Sequence, residues 1–100
     1  MNNAALLVLG ALISVIGIGN IRGNIGTVHS YNRKRVREED IPKYGKAVGT
    51  GTLIIGLGMI AAFALEFWVL APVDTVLLPA FLVGLGFILY GQFKYNKGLF

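Results

Sequence analysis

One hundred residues leave room for a single domain. Hydrophobic residues make up 55% of the chain, charged residues only 14%, and the mean hydropathy is +0.69, too little charged surface to clothe a soluble core of this size. The chain has no cysteine, which excludes a disulfide framework and a thiolate metal site, and its net charge of +4 is concentrated in one stretch.

That stretch is Arg22–Lys46, a basic segment between apolar arms. It holds seven of the nine basic residues: Arg22, Arg33, Lys34, Arg35, Arg37, Lys43 and Lys46. The first arm, residues 1–21, contains no charged side chain, and its most apolar part runs from Ala4 to Gly19. It begins Met-Asn-Asn without a basic residue and runs into Gly-Asn-Ile-Arg-Gly without a small-residue cleavage site. It therefore reads as a retained first span, not a secretory signal.

Two further uncharged runs follow, 47–65 and 75–93, each of 19 residues. At ~1.5 Å per residue such a run extends roughly 28 Å, enough to cross a hydrocarbon core of ~30 Å. Lipid offers the backbone no hydrogen bonds, so each span is expected to be helical. The runs are continuously apolar and lack the alternation of a barrel strand. The expected fold is thus an all-α integral membrane protein in one domain, with spans over about 4–21, 47–70 and 75–93. A cytoplasmic loop over 22–46 joins span 1 to an antiparallel hairpin of helices 2 and 3, and a tail covers 94–100.

Orientation follows from charge. With three spans, the 22–46 loop and the tail bearing Lys94 and Lys97 share one side, so every Lys and Arg falls there. The positive-inside rule makes that side cytoplasmic, with the N-terminus outside a cell membrane. Phe67 and Trp68 would then mark the outer boundary, and Tyr44, Tyr90, Phe93 and Tyr95 the inner one. Asp40 is a candidate N-cap for helix 2, with Glu38 and Glu39 beside the positive helix end and Pro42 in the first turn. Residues 71–74 read as a tight turn in which Asp74 caps helix 3, and Pro79 is a possible slight kink.

Small residues recur at helical spacing and would let helices approach closely. Gly10, Ser14 and Gly17 share a face of helix 1. Gly45 and Gly49 form one pair in helix 2, where Gly51, Gly58 and Ala62 line a second face. Ala80, Gly84 and Gly91 line up in helix 3. Sequence leaves open whether these faces meet within one chain or between chains, and glycine is in any case frequent in membrane helices.

Chemistry-bearing residues are few. Glu66 falls near the Gly51, Gly58 and Ala62 face, about a turn inside the outer boundary. It is a candidate intramembrane ionisable group, against the plainer reading of an interfacial carboxylate beside Trp68. No charged residue lies near the middle of any span, which weighs against proton-coupled transport. His29 is the sole histidine, a poor metal site and more simply a solvated loop residue. The run Arg33, Lys34, Arg35, Val36, Arg37, with His29 and Tyr31 before it, is a candidate contact for a partner or for anionic lipid headgroups. The same run also serves to set topology. It is too short and too close to the bilayer to suggest nucleic acid. The glycines of 17–23 faintly resemble a dinucleotide loop but end a hydrophobic helix without a preceding strand. No nucleophile–base set or carboxylate pair is present, so no enzyme and no cofactor are expected.

Thr27-Val-His-Ser-Tyr-Asn, Arg35-Val-Arg-Glu-Glu-Asp, Lys43-Tyr-Gly-Lys before a glycine-rich span, and the final Tyr95-Asn-Lys-Gly-Leu-Phe together resemble a family of small prokaryotic three-helix membrane proteins catalogued as a domain of unknown function. The resemblance covers nearly the whole chain and is most specific in the His-Ser-Tyr loop and at Tyr44-Gly45. It implies three spans and supplies no activity, substrate or catalytic residue. The functional expectation is a non-enzymatic interaction or accessory subunit, acting through glycine-rich helix faces and the basic loop. Its partners would be the bilayer and either a second copy or another membrane protein. The alternative is a homo-oligomeric small channel or transporter, with Glu66 near the outer end of its path.

Overall fold

The computed structural model describes residues 4–26, 36–68 and 74–97, without the side chains of 66–68 and 74. Within them the chain forms three helices, α1 (Ala4–Ile21), α2 (Ile41–Trp68) and α3 (Asp74–Tyr95), and a 3-10 turn over Glu38–Asp40 that runs into α2. No strand occurs among the described residues. All three helices are long and apolar enough to cross a membrane, and the molecule's long axis measures 45 Å.

The helix ends follow local chemistry. Past α1, Gly23 adopts φ +100°, open to glycine without a Cβ penalty. Its N–H donates to the Asn20 carbonyl at 2.9 Å, and the Asn24 N–H donates to the Gly19 carbonyl at 2.9 Å. This pair of bonds is a Schellman closure, which satisfies two of the carbonyls that a helix end leaves bare. The start of α2 differs from the sequence expectation. The extended cap position belongs to Arg37 (φ −70°, ψ 148°), whose side chain makes no capping bond. Asp40 lies inside the 3-10 turn, and its own N–H donates to the Arg37 carbonyl at 2.8 Å. The three acidic residues therefore act from within the first turn, where they oppose the positive helix end. Pro79 sits inside α3, which continues through it. Of the turn expected over 71–74, residues 71–73 lie outside the described residues, and Asp74 is the first residue of α3.

Helix α2 is the middle member, packing against α1 on one side and α3 on the other, while α1 and α3 hardly touch. Its glycines divide accordingly. A Cβ placed on Gly49 would lie 2.6 Å from the Gly17 carbonyl oxygen, and one on Gly10 would lie 2.8 Å from the Gly56 carbonyl oxygen. Gly45 meets the Asn20 carbonyl in the same way. On the other side a Cβ on Gly84 would lie 2.6 Å from the Gly51 carbonyl oxygen, Gly58 is closed by Ala80, and Gly91 lies against Ala47 and Val48. Real side-chain carbons do not come this close, so these backbones touch where a side chain would hold them apart. Outer surfaces of α1 and α3 expose Leu7, Val8, Leu12, Val15, Leu82 and Phe93 among others.

Candidate functional site at the polar end of the helices

Among the described residues, the middle turns of the helices present apolar side chains and small residues, with the hydroxyls of Ser14, Thr50 and Thr52 as exceptions. Polar side chains collect at one end, where the last turn of α1, the first turns of α2 and the last turns of α3 come together. Tyr44 and Asn96 are fully buried there, and Asn20 and Gln92 nearly so. A buried amide or phenol must find hydrogen-bond partners or bear a desolvation penalty. The Tyr44 hydroxyl donates to Gln92 Oε1, tying α2 to α3 through a buried bond. The Asn20 amide nitrogen donates to the Asn24 carbonyl at 2.8 Å, which fastens the Schellman turn back onto α1. Ile25, held just past that turn, completes a small apolar cluster with Tyr44 and Val48, flanked by Val36, Ile41, Ile88 and Tyr95. The chain leaving α1 is thus folded over the junction, and Asn24 Oδ1 accepts the Gly26 N–H at 3.0 Å to continue the turn.

Sequence reasoning assigned Tyr44 to the interfacial aromatics. The structure adds that its ring is enclosed by protein, packed with Ile25 and Val48 where Gly45 and Gly49 let α1 approach α2. Tyr90 and Phe93 are exposed, as interfacial rings would be. Asn20, Gln92 and Asn96 were not singled out at all. Each is an uncharged polar residue at the margin of an apolar run, a position that normally reads as a span boundary. A usable signal was present in Gln92, in the last turn of α3, and Asn96, just past its end, which stand four residues apart.

Outside this closed junction, α2 and α3 border an open groove of about 340 Å³. Lys43, Lys46, Ala47 and Thr50 form its α2 wall, a single stripe at spacings of three and four. Phe87, Tyr90 and Tyr95 form the other wall. The rings of Tyr90 and Tyr95 meet edge to face, 6.4 Å between centroids and 89° between planes. Lys94 lies over both rings, at 5.3 Å and 5.8 Å, and donates from Nζ to the Tyr90 hydroxyl at 2.9 Å. Two ammonium groups, those of Lys43 and Lys46, thus line the groove, Lys94 stands beside its aromatic wall on Tyr90, and among the described residues no acidic side chain lines it.

Of the residues proposed for partner or lipid contact, only Arg37 is described. Its guanidinium makes a 3.5 Å ion pair with Glu39, both side chains largely in solvent, an arrangement of little energetic weight. His29, Tyr31, Arg33, Lys34 and Arg35 lie outside the described residues. Glu66 belongs to α2, but its side chain is outside them too. Gly10, Gly17, Gly49, Gly51, Gly58 and Gly84 are all buried against a neighbouring helix. Gly56 was overlooked; it faces Ser14, whose buried hydroxyl has no hydrogen-bond partner. Among the described residues no group of three or more potential ligands could hold a metal ion. No family model, curated protein or solved structure matches the chain.

Proposed function

We propose that this chain is a small non-enzymatic multi-pass membrane protein that serves as an interaction or accessory subunit. The observation that carries the reading is the distribution of polar groups. The described helices hold no charged side chain along their central turns, and of their buried polar side chains all but Ser14 gather at one end. Such helices have no polar lining for a translocation path. What they offer a partner is a basic segment at one end and long apolar outer faces on α1 and α3. The glycines of α2 already approach its two neighbours in the same chain, so a partner would meet those outer faces.

In this reading the N-terminus is outside, the basic loop and the tail are cytoplasmic, and α2 and α3 form an antiparallel hairpin. The α2–α3 contacts support the hairpin: Tyr44, Gly51 and Gly58 meet Gln92, Gly84 and Ala80, in opposite order along the two helices. The likeness to a three-helix family, carried by the loop and by Tyr44-Gly45, belongs to the same proposal. The test is native mass spectrometry of the particle extracted in nanodiscs, with an affinity pull-down from solubilised membranes. A complex with a different membrane protein is the expected result. A monomer that recovers no partner would overturn the reading, and a defined homo-oligomer would replace it with a shared channel or transport path.

A further inference from the structure

We infer that the groove between α2 and α3 is a binding site for one anionic phospholipid, its phosphate held by Lys43, Lys46 and Lys94 and an acyl chain lying along α3. The groove changes in chemistry along its length, from cationic to apolar. Its charged end is lined by Lys43 and Lys46, and Lys94 stands next to it, bonded to the Tyr90 hydroxyl of the opposite wall. One to two turns further along lie Ala47, Thr50 and Phe87, inside the uncharged runs. Thr50 offers no free donor at this level, because its hydroxyl bonds back to the Lys46 carbonyl at 2.6 Å.

The groove does not stop there. A second, wholly apolar hollow of about 380 Å³ shares Phe87 and Tyr90 with it and continues past Gly86 to Val83. Val83, Gly86, Phe87 and Tyr90 form one stripe on α3, the counterpart of the lysine stripe on α2. The track is open at Gly86, where a Cβ would meet nothing within 4 Å. From Tyr95 to Val83 the track covers twelve residues, or roughly 18 Å of helix. It leads from a cationic level to a hydrocarbon level, as a phospholipid does. Basic pockets between membrane helices recognise anionic headgroups in this manner. A free phosphate or a phosphopeptide would use the lysines but would leave the apolar continuation uncovered.

The site requires that α2 and α3 lie across a bilayer; it does not require a protein partner. The experiment is therefore run on the isolated protein, and failure of either proposal leaves the other standing. Detergent-purified protein is titrated with phosphatidylglycerol or phosphatidylcholine, and retained lipid is counted by native mass spectrometry. One phosphatidylglycerol is expected to stay bound in preference to phosphatidylcholine. Lys46→Gln should weaken retention roughly fivefold and K43Q/K46Q roughly 25-fold, on the scale of one lysine at an anionic surface. Arg22→Gln removes an exposed cation outside the groove and should leave retention unchanged. Gly86→Leu fills the open track and should lower retention several-fold with all lysines in place. Equal retention of the two lipids overturns the site, and so does a K43Q/K46Q protein that binds like the parent. A loss in R22Q equal to that in K46Q would reduce the effect to general surface charge and overturns it as well.

Discussion

Replacing Gly17 by alanine tests whether the α1–α2 seam is a backbone contact. The new Cβ would sit 2.6 Å from the Leu53 nitrogen, 2.8 Å from the Gly49 carbonyl oxygen and 3.0 Å from the Leu53 Cα. All three atoms are backbone, so no rotamer change relieves the overlap. Reaching an ordinary separation of 3.4 Å from the nearest atom requires the helices to part by about 0.8 Å. A gap of 0.5–1 Å forfeits about a quarter to a half of the dispersion energy of the atoms that line it. Overpacking of this kind typically costs ~1–3 kcal/mol. Against it stands the helix-propensity gain of Gly→Ala, about 0.5–1 kcal/mol. The net expectation is a loss of ~1–2 kcal/mol. Gly19 provides the control on the same helix, since a Cβ there meets nothing within 4 Å. G19A should keep the propensity gain alone. The propensity gain is common to both variants, so by fluorescence-detected size exclusion after heating in mild detergent G17A should melt below G19A by the full overpacking cost of ~1–3 kcal/mol, roughly 4–24 °C on the scale for chains of this length. A G17A protein as stable as G19A would refute the reasoning, because the seam would then have slack that the backbone distances deny.

Other outcomes follow from the polar junction and its surroundings. Tyr44→Phe leaves the buried Gln92 oxygen without this donor and should lower stability by about 1–3 kcal/mol; thermal melts of the variant and the parent check this. Ser14→Ala deletes a buried hydroxyl that has no hydrogen-bond partner, so its melting temperature should equal or exceed that of the parent. Arg37→Gln breaks only an exposed ion pair at 3.5 Å and should change stability by less than about 0.5 kcal/mol, with no added salt dependence in the same melts.

The number of helices, their approximate limits and their capacity to cross a membrane were legible in the chain, because they depend on run length and charge alone. The three helices observed, Ala4–Ile21, Ile41–Trp68 and Asp74–Tyr95, overlie the uncharged runs, and α2 extends a turn and a half into the polar segment. The chain did not reveal which face of each helix turns inward. In a soluble protein an amphipathic stripe marks that face, but helices meant for lipid are apolar all round, and burial there carries no compositional signature. Periodicity therefore grouped Gly51 with Gly58 but could not say that α3 would meet them, or that Gly45, Gly49 and Gly56 would meet α1. Tyr44 shows the same limit from the polar side. A tyrosine at the start of a span is ordinarily interfacial, and only the approach of α1 at Gly45 and Gly49 encloses it. Asn20 is far in the chain from Gln92 and Asn96; a polar junction forms only because α2, lying between its two neighbours, carries Tyr44 into the end where α1 stops and α3 finishes.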